Sequence, residues 1–241
     1  MTARKNQNKR KPAKVSMRIC FMTIVTSLLV SCAGYKRINS STDENEGWTL
    51  VKVEKGDNPS WKAYSRKLAG TSFIEYKIEG NVASTPDSCF IWFKRDIHEL
   101  AEGSKSKKYP TYEIVHESGD SLVTYVVHNE PYPLKDTEMS VRYVYFNHDS
   151  GAKDVKWREA WNERFIEPSK KLNRVETFRG SWTFSPTPSG STVAVTTVQF
   201  DPKNMPRSLV EPMVIKFLRD GLEDIRKRNS QNILVTQTSR K

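Results

Sequence analysis

The residue types able to carry acid–base, covalent or metal chemistry are sparse in this chain. The four histidines, His98, His116, His128 and His148, show neither H-x-x-x-H nor H-E-x-x-H spacing, the arrangements that turn two imidazoles toward one zinc ion. Cys20, Cys32 and Cys89 are the only thiols, too few and too widely spaced for a structural zinc site. There is no G-x-S-x-G elbow, no phosphate-cradling glycine loop and no dinucleotide fingerprint. His128 has Glu130 two positions on, and Glu159 further along, as candidate partners for an acid/base pair. The leading expectation is a protein with no cofactor, no metal and no catalytic residue; an enzyme working on a hydrophobic substrate is the second reading.

Charge gives the next constraint. Lys and Arg number 39 against 28 Asp and Glu in 241 residues, a formal net of +11. Arg4, Lys5, Lys9, Arg10, Lys11, Lys14 and Arg18 precede residue 32 with no acidic residue among them. Without those seven the net is +4, too mild for a phosphate-tracking surface, and no nucleic-acid partner is expected. The basic stretch leads into an apolar run from Ile19 to Val30, too short for the roughly 20 residues that span a bilayer but suited to a signal-peptide core. It ends in Leu29-Val30-Ser31-Cys32, which resembles the bacterial lipobox. That resemblance implies cleavage before Cys32 and diacylglyceryl attachment to its sulfur. Residues 1–31 are then a signal peptide, with Met17 an alternative start. A buried helix ending in a core thiol, and a mitochondrial presequence, are the competing readings; neither accounts for a Cys placed directly after the apolar run. Ala33 after the Cys, by resemblance to enterobacterial sorting, favours the periplasmic side of the outer membrane.

Residues 32–47 are polar, of mixed charge and without periodicity, and read as a tether reaching roughly 20 Å. Cys89 has no disulfide partner once Cys20 leaves with the signal, and reads as a buried inert thiol. From Trp48 onward, strands are expected at 48–54, 61–67 and 72–82. A helix capped by Thr85-Pro86-Asp87 runs to about Arg95, followed by a short helical piece over 96–102. Six further strands, at 109–118, 121–129, 139–147, 155–166, 174–184 and 191–200, are separated by turn-forming clusters and form an antiparallel meander. A helix from about Pro206 to Arg228 carries Val210, Val214, Phe217, Leu218, Gly221, Leu222 and Ile225 on one face. Pro212 is expected to kink it or mark its start, and polar residues 229–241 to fray.

The order is three strands, helix, six strands, then a long amphipathic helix. An α+β chain of this kind can curl its sheet around the final helix. Here the sequence resembles the steroidogenic-acute-regulatory-related lipid-transfer (START) family, a helix-grip (START/Bet v 1-like) fold, over residues 48–229. The carriers are Trp48 with the strands after it, Tyr132-Pro133-Leu134-Lys135-Asp136-Thr137-Glu138, Gly180-Ser181-Trp182-Thr183-Phe184-Ser185-Pro186, and Asp201 through Val210. Thr137-Glu138 stands where the family commonly has Arg-Asp, and Glu211 where it often has Asn.

The resemblance implies a deep apolar cavity between sheet and C-terminal helix, holding one lipid or other hydrophobic molecule. The chain is expected to be a monomer, attached to the membrane through acylated Cys32. Alternation places Met139, Val141, Tyr143 and Tyr145 on one strand face, Thr124, Val126 and His128 on its neighbour, and Trp157, Glu159, Trp161 and Phe165 on the next. The expected lining is drawn from these rows and from Val214, Phe217, Leu218, Gly221 and Leu222. A solid core is the alternative that the residues alone leave open. By resemblance, Tyr132, Pro133 and Leu134 form a gate at the cavity mouth; a plain hairpin connection is the alternative. The basic run over 103–108 is a possible headgroup contact or, more simply, a solvated loop.

Overall fold

The computed structural model describes residues 42–43, 47–54, 60–103, 107–130, 135–201 and 206–238, with 42–43 and 231–238 as backbone only. The signal segment, Cys32, nearly all of the tether, the gate residues Tyr132, Pro133 and Leu134, and the centre of the basic loop lie outside the described residues. The elements are β1 (Thr42–Asp43), β2 (Trp48–Val53), β3 (Trp61–Lys67), β4 (Ile74–Val82), α1 (Pro86–Glu102), β5 (Thr111–Glu117), β6 (Ser121–His128), β7 (Thr137–Asn147), β8 (Lys153–Glu159), β9 (Asn173–Arg174), β10 (Arg179–Pro186), β11 (Thr192–Phe200) and α2 (Arg207–Thr238). They build one sheet in the order β1-β2-β3-β4-β11-β10-β8-β7-β6-β5, with β9 beside β7. Neighbours along that order are antiparallel, and only β9 runs parallel to its partner. The meander expected in the second half therefore forms, and its last strand returns to β4.

Period-two alternation sets which face is buried. In β11, Thr192, Ala194, Thr196 and Val198 are buried while Val193, Val195 and Thr197 are less so. α2 lies on the inner face through Val210, Val214, Ile215, Leu218, Leu222 and Ile225, all buried. Its approach to β4 depends on Gly80, where a Cβ would stand 2.7 Å from both Leu222 Cδ2 and the Ser60 carbonyl. Arg226 fastens the same place, donating from Nη2 to Ser60 O at 2.6 Å and from Nε to Asn81 O at 2.9 Å.

α1 is one unbroken helix, not a helix followed by a separate piece. Thr85 caps it by accepting from the Ser88 N–H at 3.2 Å, with Pro86 in the first turn. The charged run Lys94-Arg95-Asp96 does not interrupt it, because Asp96 and Ile97 face the interior and Arg95 pairs with Glu99 one turn on at 2.8 Å.

Two further expectations are corrected. The strand expected over 155–166 stops at Glu159 and is followed by a 3₁₀ turn, Trp161–Glu163, closed by Arg164 at φ 57°. Glu163 is drawn back onto the sheet by Arg142 and Arg158, and Trp161 Nε1 donates to Val175 O at 2.9 Å, so this segment wraps the sheet instead of extending it. α2 does not fray at 229. It runs to Thr238, and buried Asn229 donates from Nδ2 to Ile225 O at 2.8 Å. Polarity alone does not end a helix, and no Gly or Pro follows Gly221 to do so. Pro212 lies inside α2, five residues beyond its start.

Candidate ligand-binding site

Between the sheet, α1 and α2 lies a cavity of about 100 Å³. Three groups of elements wall it. β6 and β7 supply Val126, Met139, Val141 and Tyr143, and α2 supplies Phe217, Leu218 and Gly221. These seven, with Trp157 of β8, are the sequence-derived candidates that the fold brings together. Cross-strand register explains the sheet part, since Met139 faces Val126 and Tyr143 pairs with Leu122 and Trp157, all on the inner face.

The other candidates are elsewhere. Thr124 and His128 are buried on the same inner face of β6 but do not reach the cavity wall. Tyr145 packs edge-on against Phe90, centroids 5.5 Å apart, with the Lys94 ammonium over its ring. Glu159 is turned to Arg179 as an ion pair, and Trp161 is held outside by its bond to Val175 and by the Arg174 guanidinium over its ring. Phe165 stacks on His116, and Val214 and Leu222 belong to the solid packing of α2. The inward row expected on β8 therefore contracts to Trp157, because the strand ends two residues later.

Sequence reasoning missed the contribution of α1: Phe93, Asp96, Ile97 and Leu100 line the cavity. Their i, i+3, i+4, i+7 spacing was the available signal, obscured by treating α1 as two pieces. It also missed Tyr109 and Tyr112 on the approach to and within β5, Phe178 and Trp182 near and on β10, Thr196, and Asp224 with Ile225 on α2. Asp224 and Ile225 continue the face that carries Phe217, Leu218 and Gly221.

The expected deep cavity is corrected to a small one. About 100 Å³ is below the roughly 300–1,000 Å³ of pockets that enclose drug-sized ligands. Aromatic rings occupy the difference: Trp157 stacks with Phe178 at 6.0 Å, Tyr143 lies 6.4 Å from Trp157 and 5.9 Å from Phe93. Five of the lining rings, Phe93, Tyr109, Tyr112, Tyr143 and Phe217, are only partly buried.

The polar groups on the wall are few. Burial pushes the Tyr143 hydroxyl up to about 12 and that of Tyr112 well above its ordinary value, so both stay neutral. Burial likewise raises Asp96 to about 7, against the pull of Arg228 and with a further push from Glu99 and Asp224. Asp224 is raised in the same direction, again mainly by burial. Cys89, fully buried, is pushed up to about 11 and is chemically quiet.

Beside the cavity, His128 Nδ1 lies 2.9 Å from Glu130 Oε1, both side chains buried. Glu130 is steadied by Thr137 Oγ1 at 3.2 Å, and its backbone N–H donates to Asp136 Oδ1 at 2.9 Å. His128 Nε2 has no hydrogen-bond partner, and its ring meets the edge of Tyr109 at 5.2 Å. Of the two carboxylates considered for His128, the structure brings Glu130 and not Glu159. Among the described residues, no group of three or more His, Cys, Asp or Glu converges as metal ligands do.

No family model matches this sequence, and no curated protein does. Solved structures do match by shape. A STAR-related lipid transfer protein from Xanthomonas axonopodis has 18% identity and a TM-score of 0.60, covering 76% of this chain and 98% of its own. The lipid transfer and protein localization domain of human StarD13 has 13% identity and a TM-score of 0.59, over 77% of this chain and 90% of its own. Human StAR-related lipid transfer protein 5 has 12% identity and a TM-score of 0.57, over 78% and 89%. With its large antiparallel sheet folded around a long C-terminal helix, this chain has the helix-grip fold of the StAR-related lipid-transfer domains.

Proposed function

We propose that this protein binds one lipid or other hydrophobic small molecule between its sheet and α2, and presents or carries it at a membrane to which acylated Cys32 holds it. The observation that carries the binding reading is the cavity wall, apolar and aromatic on every side, with a few polar groups that can orient a guest. In its present form the space, about 100 Å³, is smaller than the ~150 Å³ apolar cavity known to take a benzene ring. A larger molecule enters by displacing partly buried rings of the wall, Phe93 and Phe217 among them. The fold of the lipid-transfer domains supports this reading. Native mass spectrometry of the purified chain tests it: a co-purifying lipid mass that leaves on organic extraction is the expected result, and a ligand-free spectrum unchanged by added lipids overturns it.

The anchor is proposed from the lipobox-like Leu29-Val30-Ser31-Cys32, on the periplasmic side of a bacterial outer membrane. Acyl chains contribute about 0.8 kcal/mol per buried CH₂, enough in pairs for stable attachment. Labelled palmitate is expected on the wild type; labelling that persists in Cys32→Ser removes the assignment.

One observation favours a second reading, acid/base catalysis. Glu130 on Nδ1 fixes the orientation of the His128 imidazole and leaves Nε2 free, which is how a general base is held. Turnover of hydrophobic ester substrates that disappears in His128→Gln supports the enzyme; no turnover in the wild type supports the carrier.

A further inference from the structure

Trp157 is buried to 7% exposure and lines the cavity, yet its indole N–H has no hydrogen-bond partner. The ring cannot turn to find one. It lies directly on Gly180, its cross-strand partner on β10, where a Cβ would stand 2.4 Å from Cζ2 and 2.7 Å from Cε2. Phe178 stacks against it at 6.0 Å and Tyr143 flanks it at 6.4 Å. An orphaned buried donor costs about 1–3 kcal/mol, and Phe would fill a ring slot without that cost.

The rest of the wall limits what can complete this donor. The described lining residues include two carboxylic acids, Asp96 and Asp224, and no Lys, Arg or His. Arg228 is turned away to Asp96 and Glu99 and is not on the wall. A ligand carboxylate or phosphate brought here would lose its hydration with no cation on the wall to replace it. An uncharged oxygen is spared that penalty.

We infer that Trp157 Nε1 is the anchor for an uncharged oxygen acceptor, a carbonyl, ester or hydroxyl oxygen, on a neutral hydrophobic ligand, and that the cavity rejects anionic lipids. This rests on the binding reading above and specifies the ligand class within it. The indole donates its N–H to the ligand oxygen; the lack of a Lys, Arg or His among the described lining residues excludes the anions.

The test uses the full chain, stripped of co-purified lipid, and four naphthalenes of matched shape: 2-acetylnaphthalene, 2-ethylnaphthalene, 2-naphthoate and 2-(aminomethyl)naphthalene, titrated by calorimetry. The acetyl compound is expected to bind about 3–10-fold more tightly than the ethyl compound, the range one neutral hydrogen bond supports. Naphthoate is expected to be at least ~10-fold weaker than the acetyl compound. In Trp157→Phe the ratio of acetyl to ethyl affinity is expected to fall to about one, whatever the change in absolute affinity. In ¹⁵N-labelled wild type, the assigned Trp157 indole N–H resonance should move downfield with the acetyl and not with the ethyl compound, a readout that stands even if Trp157→Phe does not fold. Equal acetyl and ethyl affinities, an unmoved indole resonance, or naphthoate binding as tightly as the ketone overturns the inference and leaves the binding reading intact. Binding of the amine tighter than the ketone also overturns it, since the acids would then be the anchor. Failure of all four to bind overturns the binding reading itself.

Discussion

Arg228 on α2 reaches Asp96 on α1, with Nη2 2.8 Å from Oδ1, although that oxygen lacks a hydrogen bond of proper geometry. The same guanidinium touches Glu99 Oε2 at 3.2 Å and lies over the Trp92 ring. Two helices that wall the cavity are therefore joined by one cation shared between two acids. Asp96 lines the cavity, and its desolvation outweighs the attraction of Arg228, as is common for buried ion pairs.

Stability should consequently fall as pH rises across the Asp96 titration. The folded-state value, about 7, lies above the ordinary 3.8, so the folded protein holds a proton that the unfolded chain has lost. The Asp96 contribution is fully present below about 3.8 and is lost as pH rises through about 7. Its size is on the order of 4 kcal/mol. Asp96→Asn should flatten this part of a urea-unfolding pH profile and be at least as stable as wild type at pH 8. A variant whose profile parallels the wild type from pH 4 to 8 would show that Asp96 is not the group responsible.

Gly221 is the cavity residue most open to change. A Cβ there meets only Trp182 Cζ2, at an ordinary 3.5 Å, and Gly inside a helix costs about 1 kcal/mol relative to Ala. Gly221→Ala should raise Tm by about 2–4 °C and narrow the cavity by a methyl group. Gly221→Phe should abolish uptake of hydrophobic probes. Full uptake by a folded Gly221→Phe protein would place the ligand elsewhere.

At Gly180 the same substitution should do the opposite. A Cβ would stand 2.3 Å from the Thr197 carbonyl oxygen as well as pressing on Trp157. Neither backbone nor a ring wedged between Phe178 and Tyr143 can yield without cost. Gly180→Ala is expected to destabilise by about 3 kcal/mol or more, beyond the usual effect of core overpacking, with a visible change in near-UV circular dichroism. A loss under ~1 kcal/mol would mean that the indole is free to move.

Glu138 holds the segment after β8 to the sheet. It is completely buried and accepts from the Tyr125 hydroxyl at 2.9 Å and from the Ser169 N–H at 3.1 Å. Glu138→Ala strands both donors, so a loss of about 2–4 kcal/mol is expected, with faster amide exchange around Ser169 than elsewhere. Uniform exchange would contradict a local role.

Strand and helix order were legible because they rest on near-neighbour pattern: alternation in β3 and β11, the Thr85-Pro86-Asp87 start of α1, the helical spacing from Val210 to Ile225. Where tertiary contacts intervene, the local pattern misled. Trp161 and Phe165 carry the side chains of an inward row, but Arg142 and Arg158 hold Glu163 and fold the segment back. His128 and Glu130 could be paired from their two-residue separation, whereas the partner of Glu159 lies twenty residues on, at Arg179.

Amphipathic periodicity by itself determined which faces of the strands and of the terminal helix are buried, since each buried face is encoded at a fixed interval along its own strand or helix; that the sheet grips that helix was what the family resemblance implied. How much room remains inside was settled only by assembly. Cavity volume is a small difference between the space enclosed by the sheet and helices and the volume of rings pointing into it, and each ring's direction depends on partners distant in the chain. Trp157 makes the point: its position on the inner face follows from counting residues, but its unpaired N–H follows from Gly180, Phe178 and Tyr143 closing around it.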